Sequence, residues 1–557
     1  MSPILQGQQE MYFKLLRVFF ALISFGAVTF FFLAITDITN SDQHWVKIFR
    51  LMPDFQIMPA LISPMIQVLA VWTGVTILFG RLYCSFFCPL GILQDIVSRI
   101  SKWVHLESRY AYQKPHSRTR YTLFVLGVVS FVSGFLPLLV FLDPYSLFGR
   151  FVTAMFRPIY LEGNNMIASL PDAYENYRIY LVPIVWNAAA SIIAILMFAV
   201  IAFMAYRFGR RYCNMICPVG TLLGLISKYS LLKIRLNHNC ISCKRCEFRC
   251  KGECLDAKAK TVDASRCVAC FNCLGVCKKN ALHYRWPQRK SVVSVPSEAD
   301  SRKAASSATE RLPAVRKEVI SLSPEERRLF LTSLFAMLVY ASVKRGFAEE
   351  EYGLRGVSVT GYKQKHPIMP PGAHDVDHFK KRCTACHLCV NKCPANIITP
   401  SLGQYGLRGF LLPHITYEHG FCNYDCTICS RICPTHALSG LKPEEKHLVQ
   451  LGKVIFIKEN CIVESQGTNC GACEEHCVTK ALKMVPYEHP DFPDNKSLTI
   501  PTIDTETCIG CGACEYICPV RPYRAVHVEG GPRHLQAKPA APPDAKNKET
   551  ELDSFGF

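Results

Sequence analysis

Cysteine carries most of the chemistry this sequence can do. The 557-residue chain has 29 cysteines. Eight fall in two runs spaced Cys-x2-Cys-x2-Cys-x3-Cys: Cys240, Cys243, Cys246 and Cys250, then Cys267, Cys270, Cys273 and Cys277. In this spacing three thiolates on a tight loop reach three irons of a [4Fe–4S] cluster. The fourth, one helical turn on, reaches the other cluster. The expected sets are Cys240, Cys243 and Cys246 with Cys277, and Cys267, Cys270 and Cys273 with Cys250. Lys251 and Lys278 stand where proline usually follows the fourth cysteine. Cys254 is an extra thiol, an alternative ligand to Cys250. A zinc ribbon uses cysteines in pairs, and runs of three argue against it.

A second array begins at Cys383. Its runs are Cys383, Cys386, Cys389 and Cys393; Cys422, Cys426, Cys429 and Cys433; Cys461, Cys470, Cys473 and Cys477; Cys508, Cys511, Cys514 and Cys518. The second run opens with a three-residue gap and the third with an eight-residue gap. Each still supplies three ligands and a remote fourth. The same crossing pairs Cys383, Cys386 and Cys389 with Cys433, and Cys422, Cys426 and Cys429 with Cys393. It also pairs Cys461, Cys470 and Cys473 with Cys518, and Cys508, Cys511 and Cys514 with Cys477. Six [4Fe–4S] clusters would use 24 cysteines, leaving Cys254 and four others and none for disulfides.

The four others lie in a repeat. Residues 80–101 read GRLYCSFFCPLGILQDIVSRIS, and 209–230 read GRRYCNMICPVGTLLGLISKYS. Cysteines at i and i+4 of a helix share a face. The proline after the second disfavours helix at that cysteine and can start a new one. Cys84, Cys88, Cys213 and Cys217 would then be related by a pseudo-twofold axis. Four such thiols can hold iron or an iron–sulfur centre, work as dithiol/disulfide pairs, or serve as small packing residues.

The elements that must position these thiols begin with four apolar runs, near 15–35, 57–80, 121–142 and 179–206. As helices, each can cross a hydrocarbon core of about 30 Å. Half of the residues are hydrophobic, 19% are charged and the mean hydropathy is +0.14. That composition excludes a disordered chain, a fibrous protein, a small disulfide-stapled secreted domain and an ordinary cytosolic enzyme. The formal charge is +19. Six clusters with their thiolates would contribute roughly −12 to −18. The excess therefore reads as compensation for cofactors rather than a nucleic-acid surface.

Segment 81–120 holds seven Lys/Arg against two acids, and 207–240 holds six against none. The positive-inside rule puts both in the cytoplasm, with the N-terminus inside. No cleavable signal-peptide pattern opens the sequence. Residues 285–324 are polar and read as a linker. Next, Arg327-Arg328-Leu-Phe-Leu precedes an apolar run at 329–343. This looks like an internal twin-arginine export signal, the route for a domain folded around its clusters. The run is short for a span, and a soluble docking helix is the alternative. The tail beyond about 530 is expected to be disordered.

His387, His436 and His476 lie beside cluster cysteines. They could tune a potential or ligate, but the expected reading is an exposed or hydrogen-bonded histidine at each. Asp143-Pro144 ends the third run and reads as a turn, with a quinone-site role as the alternative. Arg150 and Arg157 are expected to meet lipid headgroups.

The expected architecture is a helical polytopic membrane domain plus α+β ferredoxin-like [4Fe–4S] domains. Its parts are a four-span domain with the repeat (1–236), a two-cluster ferredoxin domain (237–285), the linker (286–324), a twin-arginine-like anchor (325–346), a four-cluster domain of two modules (347–527) and the tail (528–557).

These features together resemble a fusion of two protein types. Residues 1–285 look like NapH, a four-span protein with two Cys-x3-Cys-Pro motifs and a ferredoxin domain. Residues 320–525 look like NapG/MauM, in which the three- and eight-residue gaps recur. The resemblance implies a quinol dehydrogenase component in a bacterial inner membrane. It would draw on the membrane quinone pool and feed a periplasmic cytochrome or reductase. The N-terminus and first ferredoxin domain would be cytoplasmic and the C-terminal cluster domain periplasmic. It also carries Cys84, Cys88, Cys213 and Cys217 over as the family's membrane cysteines. Both halves in one chain depart from separate subunits, which leaves the partner open. Competing readings are an iron–sulfur reductase serving copper or oxidase maturation, a redox-sensing membrane scaffold, and a membrane-docked ferredoxin array facing the cytoplasm. No Gly-x-Gly-x-x-Gly before a helix, Walker loop or Cys-x-x-Cys-His is present.

Overall fold

The computed structural model describes residues 3–33, 52–104, 110–169, 181–286 and 360–539, apart from positions 183, 186, 238, 278, 280, 493, 494 and 496. The linker, the twin-arginine motif and the 329–343 run lie outside the described residues, as does the tail from 540.

Twelve helices build the N-terminal unit among the described residues: α1 (Pro3–Leu33), α2 (Ile57–Ile62), α3 (Ile66–Phe79), α4 (Tyr83–Phe86), α5 (Pro89–Val104), α6 (Ser117–Val132), α7 (Pro137–Leu142), α8 (Pro144–Phe151), α9 (Arg157–Ala168), α10 (Ala188–Phe208), α11 (Arg211–Met215) and α12 (Pro218–Ser227). A π-helical turn, Val152–Phe156, joins α8 to α9. Within this unit two stretches, Tyr12–Leu33 and Ala188–Phe208, are long and apolar enough to cross a membrane by length and composition.

The other two apolar runs depart from the single spans expected of them. Run 57–80 breaks at Ser63-Pro64 into α2 and α3. Proline lacks the donor that a continuous helix needs. Run 121–142 breaks after Val132, where Gly134 takes a positive φ of 68° and Pro137 starts α7. The last run begins as helix only at Ala188, capped by the Asn187 side chain, which accepts from Ala190 N at 3.0 Å.

The cluster-type segments are α+β with short two-stranded antiparallel sheets. Strand Lys233–Leu236 pairs with Leu282–Arg285 and closes the first module. That module therefore starts inside the range expected for the helical domain. In the C-terminal array, Val449–Phe456 pairs with Val526–Gln536. The strand runs well past residue 527, so the first part of the expected tail is ordered. A register shift between Gly530 and Leu535 lets pairing resume after Gly-Gly-Pro, which in sequence reads as an end.

The module and the array dock at opposite ends of the Tyr12–Leu33 stretch of α1. Near its start, Phe13 packs on Phe271 and Tyr284 of the module, with ring centroids 5.8 and 6.3 Å apart. Near its end, the Phe31 ring lies 5.1 Å under the Lys392 ammonium of the array. Eighteen residues of helix separate the two contacts, about 27 Å at 1.5 Å per residue. The array also meets the helical unit through Arg157 Nη2 to Asn396 Oδ1 at 2.6 Å, Asn391 Nδ2 to Thr153 Oγ1 at 2.9 Å, and Ser63 Oγ to Pro434 O at 3.0 Å.

Candidate iron–sulfur and thiol centres

Four of the six cluster-type runs, those from Cys240, Cys267, Cys383 and Cys508, owe their shape to residues in left-handed conformation. In the run from Cys240, Ser242 and Lys244 have φ of 54° and 58°. In the run from Cys267, Ala269 and Phe271 have 48° and 56°; in the run from Cys383, Ala385 and His387 have 51° and 61°. The run from Cys508 places Gly510 and Gly512 there, at 67° and 82°. The pattern is the same each time: one residue before and one after the second cysteine. For a side-chain-bearing residue this costs roughly 1–2 kcal/mol. The compensation is a concave row of N–H groups turned toward anions. One of them reaches sulfur, Gly510 N donating to Cys508 Sγ at 3.4 Å, and beyond these loops Ala281 N donates to Cys277 Sγ at 3.2 Å and Ala525 N to Cys518 Sγ at 3.5 Å.

The thiols assemble across runs. Cys433 faces Cys383, Cys386 and Cys389, while Cys422 and Cys426 face Cys393. Cys518 faces Cys461 and Cys473, and Cys477 faces Cys508, Cys511 and Cys514. In the first module, Cys246 faces Cys277 and Cys240, and Cys273 faces Cys250, Cys267 and Cys270. Burial, reinforced by neighbouring thiols, pushes Cys386 and Cys511 up to about 12 and Cys393 to about 11. Neutral thiols packed this way lose their protons on binding iron. The donor set, its grouping and its inward N–H groups therefore fit [4Fe–4S] clusters.

Cys254 lies beside Cys250 and Cys267, two of the ligands expected of one cluster. Its Sγ is 3.5 Å from that of Cys250, and it also bonds Cys267. The Cys254 hydrogen bond holds Cys250 down to about 7 despite burial.

The repeat cysteines sit on matching pieces. Cys84 lies in α4 and Cys213 in α11. Cys88 precedes Pro89, and Cys217 caps α12, accepting from Gly220 N at 3.3 Å. All four are buried in one core that also contains Cys270 of the first module and Leu388, Ile428 and Ile432 of the array. Each copy's arginine crosses to the other. Arg81 Nη2 is 3.7 Å from Cys84 Sγ and donates to Cys213 O at 3.2 Å. Arg210 Nη1 is 3.9 Å from Cys213 Sγ and donates to Cys84 O at 2.7 Å. The glycines of the motifs make room. A Cβ on Gly91 would lie 2.4 Å from Cys84 O and 2.5 Å from Arg210 Nη1. One on Gly220 would lie 2.1 Å from Cys213 O and 3.0 Å from Arg81 Nη2. Among the described residues, no three His, Cys, Asp or Glu side chains close on a position for a single metal ion.

These arginines carry structure that reading the cysteines alone missed. The available signal was the Gly-Arg two residues before each Tyr-Cys. Asp95 on α5 was missed as well. It pairs with Arg210 at 2.8 Å, with Lys251 at 3.1 Å and with Arg17. Three buried cations thus share one carboxylate.

The remaining candidates fall as follows. His387 is buried, bonds Leu411 O at 3.0 Å, and is pushed down to about 3 by burial. His476 is exposed and bonds Ala472 O at 3.0 Å, and His436 is exposed. Asp143 caps α8, accepting from Ser146 N at 2.9 Å and from Tyr145 N at 3.2 Å. Arg150 and Arg157 do not face outward as expected. Arg150 is buried and donates to Val140 O at 2.5 Å, and Arg157 bonds the array's Asn396. Both are drawn inward by acceptors at the docking face, beside Cys386 and Cys393.

Segments 62–107 and 190–237 both match one family model, described as a 4Fe-4S binding domain. Residues 382–462 and 461–521 match models of 4Fe-4S dicluster domains. An uncharacterized protein of Methanocaldococcus jannaschii is 23% identical over 42% of this chain and 84% of its own length. The ferredoxin-type protein NapF of Escherichia coli is 27% identical over 28% of this chain and 84% of its own. The methylamine utilization ferredoxin-type protein MauM of Paracoccus denitrificans is 31% identical over 27% of this chain and 66% of its own. No solved structure matches the chain. The chain carries 4Fe-4S ferredoxin-type domains and is similar to multi-cluster ferredoxin-type proteins.

Proposed function

We propose that this chain is a membrane-bound iron–sulfur electron-transfer protein. It takes electrons from quinol and delivers them to a redox partner, a cytochrome or reductase, across the membrane. The observation that carries the reading is the course of α1. One end packs on the first module, the other on the array, and the four repeat thiols lie in the core between them. Under this reading the helical unit crosses the bilayer. Its two broken runs break where the array docks, Ser63 bonding Pro434 O and Gly134 lying against Lys381. The N-terminus and first module are cytoplasmic, and the array is periplasmic.

Six clusters are assigned to the crossed sets of 24 cysteines given above, and when bound they supply one-electron transfer. The chain's own residues space them, bury them and set their potentials. The repeat thiols are assigned a further iron–sulfur site. The matched 4Fe-4S binding segments contain only Cys84 and Cys88 in one copy and Cys213 and Cys217 in the other, so a four-thiolate site needs both. Arg81 has no carboxylate partner among the described residues, and an anionic centre compensates its charge.

The test is to mix anaerobically purified, oxidised protein with a quinol analogue and follow the visible absorbance of the clusters. Bleaching is expected. Bleaching by dithionite but not by quinol would reject quinol as donor. Reporters fused in the 286–324 linker and at the C-terminus test the topology. Opposite sides are expected, and the same side overturns the transmembrane route.

A further inference from the structure

A groove of about 830 Å³ opens where α1 and α5 meet the first module. One wall is aliphatic: Val18, Ala21 and Leu22 of α1 face Ile92, Ile96 and Ile100 of α5. The other end is cationic, with Lys14, Arg17, Arg99, Arg249 and Lys251 against one acid, Asp95. The volume falls in the range of about 300–1,000 Å³ usual for small-ligand sites. Asp95 is already shared by Arg17, Lys251 and Arg210. The buried Arg17 keeps one nitrogen, Nε, without a partner. Arg17 and Lys251 also face Cys270 of the module, so the deeper charge is partly offset there. Lys14, Arg99 and Arg249 are exposed at the mouth, and none forms an ion pair with a carboxylate among the described residues.

We propose that this groove binds an anionic phospholipid. Its phosphodiester would sit among Lys14, Arg99 and Arg249, and the start of its acyl chains along the wall of α1 and α5. The inference rests on the reading that α1 lies in a membrane. Three things select this occupant: surplus positive charge, an aliphatic wall continuous with the lipid-length helix Tyr12–Leu33, and an opening at one end of that helix. A cation next to an anionic lipid surface contributes about 1 kcal/mol, roughly five-fold in binding. The bound lipid would tie the first module to the helical unit at the membrane surface.

The test uses the full-length protein in detergent and short-chain phosphatidylglycerol as the probe. Short-chain phosphatidylcholine, inorganic phosphate and a ubiquinone analogue serve as the other arms. Phosphatidylglycerol should bind in preference to phosphatidylcholine. Replacing the three mouth cations together (Lys14→Gln, Arg99→Gln, Arg249→Gln) should weaken it on the order of 100-fold. Leu22→Trp, on the exposed side of the wall, should weaken it without changing charge. Iron content should stay the same in both variants. Equal binding of the two lipids, full competition by inorganic phosphate, preferred binding of the ubiquinone analogue, or unchanged affinity in both variants would each overturn the proposal. Carbonate extraction of membranes separates the two failures. A protein released by carbonate refutes the membrane reading itself, whereas a retained protein without lipid preference refutes only the groove.

Discussion

The module cysteines and the repeat cysteines are placed by opposite routes: all four repeat thiols are buried, whereas about half of the module thiols are only partly so. In the modules, each run builds most of a site from its own short loop. The left-handed residues at Ser242 and Lys244, Ala269 and Phe271, and Ala385 and His387 wrap the backbone around the thiols. In the helical unit neither copy builds a site alone. Cys84 and Cys213 are brought together by arginines reaching across the repeat, and by glycines small enough to let them pass. A loop that wraps itself tolerates whatever flanks it. A site shared between two copies depends on long-range packing, and on charges that must find partners in a dry interior.

The largest effect should come from removing a fourth ligand in the array. Cys433→Ser is expected to cost one cluster, about four irons. The informative step is the second substitution. Adding Cys383→Ser should cost no further iron, because Cys433 and Cys383 face each other. Adding Cys422→Ser should cost another cluster. Iron and acid-labile sulfide counts decide it, and the reverse result would mean that each run closes on its own fourth cysteine.

Asp95→Asn tests the other region. It leaves Arg17, Arg210 and Lys251 buried around a neutral amide. Removing one partner of a buried ion pair costs about 3–5 kcal/mol. Unfolding in detergent should show that loss, with iron in the array unchanged. A loss below about 1 kcal/mol would place the site's cations in water.

The glycines test the symmetry itself. A methyl at Gly91 meets Cys84 O and Arg210, and one at Gly220 meets Cys213 O and Arg81. Overpacking of this kind costs about 1–3 kcal/mol. Gly91→Ala and Gly220→Ala should destabilise by similar amounts, read from thermal midpoints in detergent. A harmless change at one site and a severe one at the other would show that the copies have diverged in role.

What could be read from residue order follows the same division. The grouping of the module cysteines into runs is visible as spacing because each run lies in one short stretch of chain. So is the repeat, because GRLYC and GRRYC stand in register. The breaks at Ser63-Pro64 and at Gly134 were also marked by residues with known backbone preferences, yet hydropathy summed over each run hid them. Asp95 carries no local signal at all. Its three partners come from α1, from the turn before α11 and from the first module, so only the fold assembles them. Arg150 and Arg157 fail for a related reason. Sequence places them beside an apolar run, where water or headgroups would be the default, but the array covers them and supplies Asn396.

The smallest effect should come from an exposed charge on the array, and it sets the scale for the buried ones. Lys458 Nζ lies 3.2 Å from Glu464 Oε1, donates to the Tyr487 hydroxyl at 2.9 Å, and sits 4.7 Å over that ring. Three favourable contacts on one ammonium could suggest a strong anchor. The Lys458 side chain is 45% exposed, however, and water screens the pair while the side chain keeps its entropy only when released. Lys458→Ala should therefore cost at most about 1 kcal/mol, a fraction of the Asp95→Asn loss, and should shrink further in high salt. Equal losses in the two variants would mean that burial around Asp95 adds nothing to its ion pairs. The contrast between the self-wrapped loops and the charge-dependent repeat would then fail at its energetic root.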